Sequence, residues 1–408
     1  MTIPVPEMPV FARALRSRNY RLYFLGQLVS LAGTWMQQIA MIWLAYRLSG
    51  SAFVLGTIGF ASQIPILIFA SIGGVWTDRL DRRRLLLWTQ ALSMLQALAL
   101  AALAWQERVS PGLLLVLAFF LGCINALDVP ARQAIAVQLL DDPDDLPNAI
   151  ALNSLVMNSA RFVGPALAGF VVAAVGEAMC FLLNALSYLA VLVALRAIRI
   201  AAVPGQPTPT WTALRQGYRY VLRHRQIRRS LLLVAGVSFL ATPYAVLMPI
   251  FARQVFAGDA LTYGLLIGSA GAGSLLAALF LAARADTRDL HRSICRAAPA
   301  VGLCLLVFSL TSQRWLAFPV LAGLGFSVIL TVAGSNTLIQ TAVDDEFRGR
   351  IMALFSMAFL GVAPLGSLAL GTLAHACGIR RTLAACGALV LVAGVVYGQV
   401  TQRSGREA

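Results

Sequence analysis

Gly73-Gly74-Val75-Trp76-Thr77-Asp78-Arg79-Leu80-Asp81-Arg82-Arg83-Arg84 separates two apolar stretches, Ala52 to Ile72 and Leu85 to Trp105, in neither of which a residue is charged. A helix on the surface of a soluble domain carries a charged or polar face, and these have none. Arginines clustered between two such stretches read as a short cytoplasmic turn tying two membrane spans together, because basic residues accumulate on the cytoplasmic side. The glycines matter because a helix end without side chains lets a neighbouring backbone come close. Asp78 is then placed to pair with an arginine or to face a helix N-terminus, whose partial positive charge favours an anion.

The rest of the chain repeats this grammar. Hydrophobic residues make up 59% of 408 and charged residues 12%, against about a quarter charged in soluble domains; the mean hydropathy is +0.78. A window of about 20 apolar residues crosses a bilayer core. Twelve such windows follow one another, at 20–48, 52–76, 85–105, 112–139, 148–175, 178–199, 230–256, 262–283, 293–311, 315–341, 349–375 and 380–401. The predicted fold class is therefore an all-α polytopic membrane protein of twelve transmembrane helices. The first window has no small-residue cleavage site after it and reads as a retained span.

All 32 basic residues are arginine. By the positive-inside rule, roughly 25 of them in the termini and the even-numbered loops put both termini in the cytoplasm. The opposite loops hold Arg47, Arg108, Arg253, Arg314, Arg380 and Arg381, and Arg161 falls inside a span. Topology thus explains the net charge of +15, and no nucleic-acid partner is needed for it.

The longest hydrophilic break, Ala201 to Arg229, contains Pro204, Gly205, Pro207 and Pro209 and then a basic amphipathic stretch from Trp211. It reads as a linker followed by a helix on the inner membrane surface, or as a solvated connector. It divides the chain into a six-helix half (1–200), a cytoplasmic linker (201–229) and a second six-helix half (230–408). A shift of about 202 positions (340 − 138) aligns Gln138 with Gln340, Asp142 with Asp344, Ala151-Leu152 with Ala353-Leu354, Ser154 with Ser356, Gly164 with Gly366 and Gly169 with Gly371. A shift of about 208 (264 − 56) pairs Gly56 with Gly264, Asp78 with Asp286 and Arg84 with Arg292. Two parallel halves related by an axis along the membrane normal hold substrate near the midplane between them.

Four motifs sharpen this. The loop Gly73-Gly74-x-x-x-Asp78-Arg79-x-x-Arg82-Arg83 is joined by Asp128-Val129-Pro130-Ala131-Arg132-Gln133 and by Arg161-Phe162-Val163-Gly164-Pro165-Ala166-Leu167-Ala168-Gly169. Asn336-Thr337-Leu338-Ile339-Gln340, running on through Asp344, Asp345, Arg348, Gly349 and Arg350, is the fourth. Together they resemble the transmembrane secretion effector branch of the major facilitator superfamily, which includes enterobactin exporters. The resemblance implies export of a small molecule, such as a siderophore or hydrophobic drug, from a bacterial cytoplasm across the inner membrane by proton antiport. Import or facilitation of a small metabolite is the alternative on the same fold. The equivalent loop of the second half, Arg284 to Arg292, lacks the double glycine, which argues against a symmetric gate there.

The resemblance also gives residues their expected roles. Gly73, Gly74, Asp78, Arg79, Arg82 and Arg83 form the gating motif. Gly164 and Pro165 form a hinge in the fifth span, with Pro364 and Gly366 as its counterpart; passive kinking by proline is the other reading. Gln37, Gln38, Gln63, Asn125, Asn158, Asn336 and Gln340 are cavity candidates with Tyr244, although amides inside spans more often bond to neighbouring helices. For proton coupling the candidates are Asp128, Arg161 and Arg132. Counted at 1.5 Å per residue, Asp128 lies about 16 Å and Arg161 about 20 Å from the inner face, so the two are expected at similar depth as an ion pair that opens and closes. Asp128 paired permanently, or turned to Arg132 one turn away, is the competing expectation.

Six cysteines without a Cys-x-x-Cys and three scattered histidines suggest no metal site, and no cofactor is expected. A chain with no lysine has no phosphate-cradling Gly-x-x-x-x-Gly-Lys motif. Asp141-Asp142-Pro143-Asp144-Asp145 lacks calcium-loop spacing and reads as a turn capping the fifth helix. No reactive constellation for an enzyme is present. The expected partners are a small-molecule substrate, protons and the lipid bilayer, and the chain is expected to act as a monomer.

Overall fold

The computed structural model describes residues 10–79, 81–198, 211–283 and 287–404, without the side chains of residues 10–12, 70–79, 137, 143, 211–215, 287–289, 345 and 402–404. Every regular element among them is helical, and twelve segments are long and apolar enough to cross a membrane. Ten spans are single helices: α1 (Arg18–Ser49), α2 (Ala52–Arg79), α3 (Arg82–Trp105), α4 (Pro111–Gln138), α5 (Leu146–Val175), α6 (Glu177–Ala197), α10 (Ala260–Ala282), α11 (Thr287–Leu310), α12 (Arg314–Ala342) and α15 (Ile379–Ser404). A short helix, α7 (Trp211–Arg223), precedes the seventh span.

The seventh and eleventh spans are composite. The seventh is α8 (Arg225–Leu240), a turn, α9 (Tyr244–Ile250) and one π-helical turn at Phe251–Val255. The eleventh is α13 (Asp345–Ser356), a π turn at Met357–Gly361 and α14 (Ala363–Cys377). The two breaks touch. The Ser238 hydroxyl donates to the Phe359 carbonyl at 2.6 Å, which satisfies a carbonyl that the π turn frees.

Local chemistry sets the span ends. Ser110 accepts from the Leu113 amide ahead of Pro111, and Asp259 from the Thr262 amide, both side-chain N-caps. Asp81 caps α3 through the amides of Arg83 and Arg84. Tight far-side turns use positive φ at Gly50, Gly176 and Gly378, which only glycine adopts freely. Arg47 grips Glu177 with two bonds, at 2.9 and 3.2 Å, across the far ends of α1 and α6. Asp145 precedes α5 without a side-chain cap and pairs instead with Arg13 at 3.2 Å, so the acidic run anchors the N-terminal turn.

In the first six spans α1 packs on α5 and α6, α3 on α4 and α6, and α2 on α4; in the last six, α10 and α11 pack on α12, and α11 on α15. The two groups meet along α5 with α10 and along α2 with α14. Call the side where α1 begins the near side. Glycines close both seams toward the far side, and Gly271 closes the α5–α10 seam again at mid-depth, 2.7 Å from the Phe162 Cα to an added Cβ. A Cβ on Gly169 would lie 3.0 Å from the Gly264 Cα, and one on Gly371 would lie 2.7 Å from the Gly56 Cα. Backbone therefore meets backbone. Trp43 stacks on Tyr263 beside the first seam, with centroids 5.9 Å apart. Residues Ile39 to Tyr46 of α1 are all buried there, while Leu25, Leu28 and Val29 nearer its start are exposed.

The helix α7 docks on the start of α13. Tyr220 stacks on Phe347, centroids 4.7 Å apart, and its hydroxyl donates to Asp344 at 3.0 Å.

Candidate functional site

Three polar clusters occupy the interior. The first is built around Asp128 of α4, which is 1% exposed. Its carboxylate accepts from Arg132 one turn on, from the Thr89 hydroxyl at 2.6 Å and from the Gln90 amide at 2.7 Å. Arg132 also donates to Gln27 of α1 at 2.8 Å, and the phenols of Tyr23 and Tyr188 lie within electrostatic reach of it. Three helices thus converge on one ion pair. Pairing of Asp128 with Arg161, one of the two arrangements expected, does not occur. Similar depth was necessary for that pair but not sufficient: at i,i+4 Arg132 shares the Asp128 face of α4.

The second cluster lies deeper. Gln37 of α1 donates to Gln96 of α3 at 2.8 Å and accepts from Asn184 of α6 at 2.8 Å, and Gln96 donates on to the Leu117 carbonyl of α4 at 3.2 Å. Gln37 is fully buried, so its expected place on the cavity wall is corrected: it belongs to a chain of amides that ties four helices together.

The third cluster sits between the two groups of spans. Arg161 lies 15 residues into α5 (161 − 146), about 22 Å along the helix axis. Its guanidinium lies over the Trp35 ring, 5.3 Å from the centroid. Its Nε is shielded from solvent without a hydrogen-bond partner, and it makes no ion pair among the described residues. The phenol of Tyr244, on α9, lies within electrostatic reach, and Tyr263 of α10 lies within reach of Tyr244. The close approach of Gly271 to the Arg161 carbonyl, and of Gly164 to Trp35, fixes the backbones that carry this cluster.

The remaining candidates are dispersed. Gln38 is exposed on an otherwise buried stretch of α1, while Gln63 and Asn125 are half-buried. Asn158 donates to the Ser154 carbonyl of its own helix at 2.8 Å, and Gln340 to Asn336 at 3.1 Å along α12. Gly164 and Pro165 are buried in an α5 that runs as one helix. Pro364 is at the start of α14 after the π turn, and Gly366 abuts the Phe239 carbonyl and the Pro243 ring. Of the gating motif, Arg83 donates to the carbonyls of Leu195 and Arg196 at 2.6 and 2.9 Å, and Arg82 to that of Ala134 at 3.3 Å. These arginines clamp the near ends of α6 and α4. Gly73, Gly74, Asp78 and Arg79 have described backbone in the last turns of α2, but their side chains lie outside the described residues. Thr89, Gln90 and Tyr263 went unnoticed in the sequence; the spacing of Thr89, Gln90 and Gln96 on one apolar helix was the available signal.

The sequence profile of the transmembrane secretion effector family matches residues 11–408. The staphyloferrin A transporter of Staphylococcus aureus is 26% identical over 92% of this chain and 95% of its own. The multidrug efflux pump Tap of Mycolicibacterium fortuitum is 25% identical over 92% and 94%. Among solved structures, a bacterial homologue of the human lysosomal transporter Spinster, in an inward-facing and unoccupied conformation, superposes with a TM-score of 0.69 at 14% identity, covering 95% of this chain and 97% of that one.

Proposed function

We propose that this chain, which belongs to the transmembrane secretion effector family of major facilitator transporters, exports an amphipathic small molecule from the bacterial cytoplasm in exchange for protons. That it is a multi-pass membrane transporter and not an enzyme follows from the family. Direction, coupling ion and substrate are our reading. Export is supported by full-length similarity to a protein named for multidrug efflux and to one named for staphyloferrin A. The observation that carries the mechanism is the pair of far-side glycine seams. Two six-span halves that touch along two seams can rock about them, exposing the space between to one side at a time. With both termini in the cytoplasm, the far side is the outside. The state described here is then sealed outward, and α1 is exposed toward the cytoplasm.

Asp128 is the proposed proton carrier, with Arg132 and not Arg161 as its partner. In the state described, Arg132, Thr89 and Gln90 all donate to its carboxylate. Drawing Arg132 toward Gln27 during the rock would leave Asp128 in a dry site, where burial favours the protonated form. A proton taken up from outside would leave to the cytoplasm when the pair re-forms. Energised inverted vesicles test the proposal. We expect an imposed pH gradient to drive accumulation of a fluorescent hydrophobic drug inside them, and Asp128→Asn to abolish uphill accumulation while drug binding persists. Accumulation confined to right-side-out vesicles would establish import instead. Uphill transport by Asp128→Asn with an unaltered pH dependence would remove the carboxylate from the mechanism.

A further inference from the structure

We infer that Arg161 anchors a subsite for the carboxylate of an anionic, aromatic or otherwise apolar substrate, held between the two groups of spans. The inference deepens the transport reading and rests on it. Arg132 and Arg161 both lie inside spans of the first half, away from the span ends, and their surroundings differ. Arg132 is saturated by Asp128 and Gln27, as a structural arginine has to be. Among the described residues Arg161 has no acid and no side-chain hydrogen bond, and its Nε is shielded from solvent. An ionised group at mid-depth without a counter-ion is costly, and such groups face a cavity or a binding partner.

The geometry says which partner. Trp35 covers one face of the guanidinium and the Nε is shielded, which leaves the in-plane N–H donors of the two Nη groups as the edge a ligand can meet. A carboxylate meets that edge with two parallel bonds, while a point cation or a neutral hydroxyl cannot use the fork. Around it, the half-buried Trp35 and Tyr244 offer aromatic surface for the body of the molecule. The position lies at the α5–α10 seam, so bound ligand would touch both halves: Trp35 and Arg161 from the first, Tyr244 from the last. Substrate charge and the rocking motion thereby meet at one residue. The proton-carrying pair around Asp128 belongs to the first half alone.

A matched pair of probes isolates the charge: 2-naphthoate and its uncharged analogue 2-naphthamide, measured by equilibrium dialysis against the purified protein in nanodiscs with empty nanodiscs subtracted. The parent protein is expected to bind the carboxylate at least tenfold more tightly than the amide. Arg161→Gln is expected to erase that preference with amide binding retained, and Arg161→Lys to keep part of it. Equal affinities in the parent, or a preference that survives Arg161→Gln, would overturn the inference. A second measurement needs no variant: modification of Arg161 by phenylglyoxal, read by mass spectrometry. Protection by naphthoate alone supports the subsite; protection by neither probe, or equally by both, refutes it. Neither readout involves the direction of transport, so import in the vesicle assay would leave this result standing, and the reverse.

Discussion

The first six spans and the last six share a backbone plan but differ in interior chemistry. A shift of about 208 carries Thr89, Gln90 and Gln96 onto Ala297, Ala298 and Cys304, and a shift of about 202 carries Asp128, Arg132 and Asn184 onto Leu330, Gly334 and Cys386. Each of these six polar residues becomes apolar, small or a thiol. The large apolar core runs through both groups and takes in most of the last six spans, whose irregularities are in the backbone: two π turns and a broken seventh span. Hydrogen-bonded amides lock helices at a fixed rotation, while apolar contacts and π turns allow sliding. The comparison thus assigns charge chemistry to the first half and conformational adjustment to the last.

The sharpest way to break this contrast is at the ion pair. Asp128→Leu, which copies the last-half residue, leaves Arg132 buried with Gln27 alone. Removing one partner of a buried pair costs about 3–5 kcal/mol, and a loss of that size is expected in thermal unfolding of the purified protein. The double variant Asp128→Leu with Arg132→Met should recover most of the stability and none of the uphill transport. A single variant that unfolds like the parent would show that the network is not structural.

The seams come next, because they are where the halves should behave alike. Gly169→Val and Gly371→Val each drive a side chain into facing backbone, and overpacking costs about 1–3 kcal/mol. Similar losses from both are expected in the same unfolding measurement; a loss from one only would mean that a single seam carries the closure.

Gln96→Leu should cost about 1 kcal/mol, between the roughly 0.6 kcal/mol average of interhelical bonds in membranes and the larger penalty of an orphaned buried amide. Its counterpart Cys304→Ser should stay within about 0.5 kcal/mol. Equal effects would dissolve the contrast at this depth. The smallest change belongs to Tyr220→Phe, which keeps the stack on Phe347 and loses one exposed bond to Asp344. A shift within about 0.5 kcal/mol and unchanged transport are expected, and a large transport defect would make α7 part of the moving machinery.

Much of this was legible beforehand. Twelve spans and most of their limits follow from apolar windows ended by arginine, proline and glycine, and each described span begins or ends within a few residues of its expected place. Gly56 and Gly264, matched as repeats, reappear as the first members of two equivalent seams. Rotation about the helix axis was not legible. A sequence gives depth, which set Asp128 beside Arg161, but it does not say which way either side chain points in an apolar helix without a polar stripe. Gln37 was misplaced for the same reason. The broken seventh span was hidden because Pro243 and Pro249 inside an apolar run permit a kink without requiring one.

One consequence of the backbone-on-backbone seams concerns the host cell rather than the cargo. A membrane that stores energy as a voltage and a proton gradient is discharged by any continuous thread of water. Where a single methyl group would collide with the opposite main chain, no water molecule fits either, so at these seams no thread of water passes between the halves. On the proposed coupling, a cell could keep many idle copies of this protein in its membrane without short-circuiting its gradient.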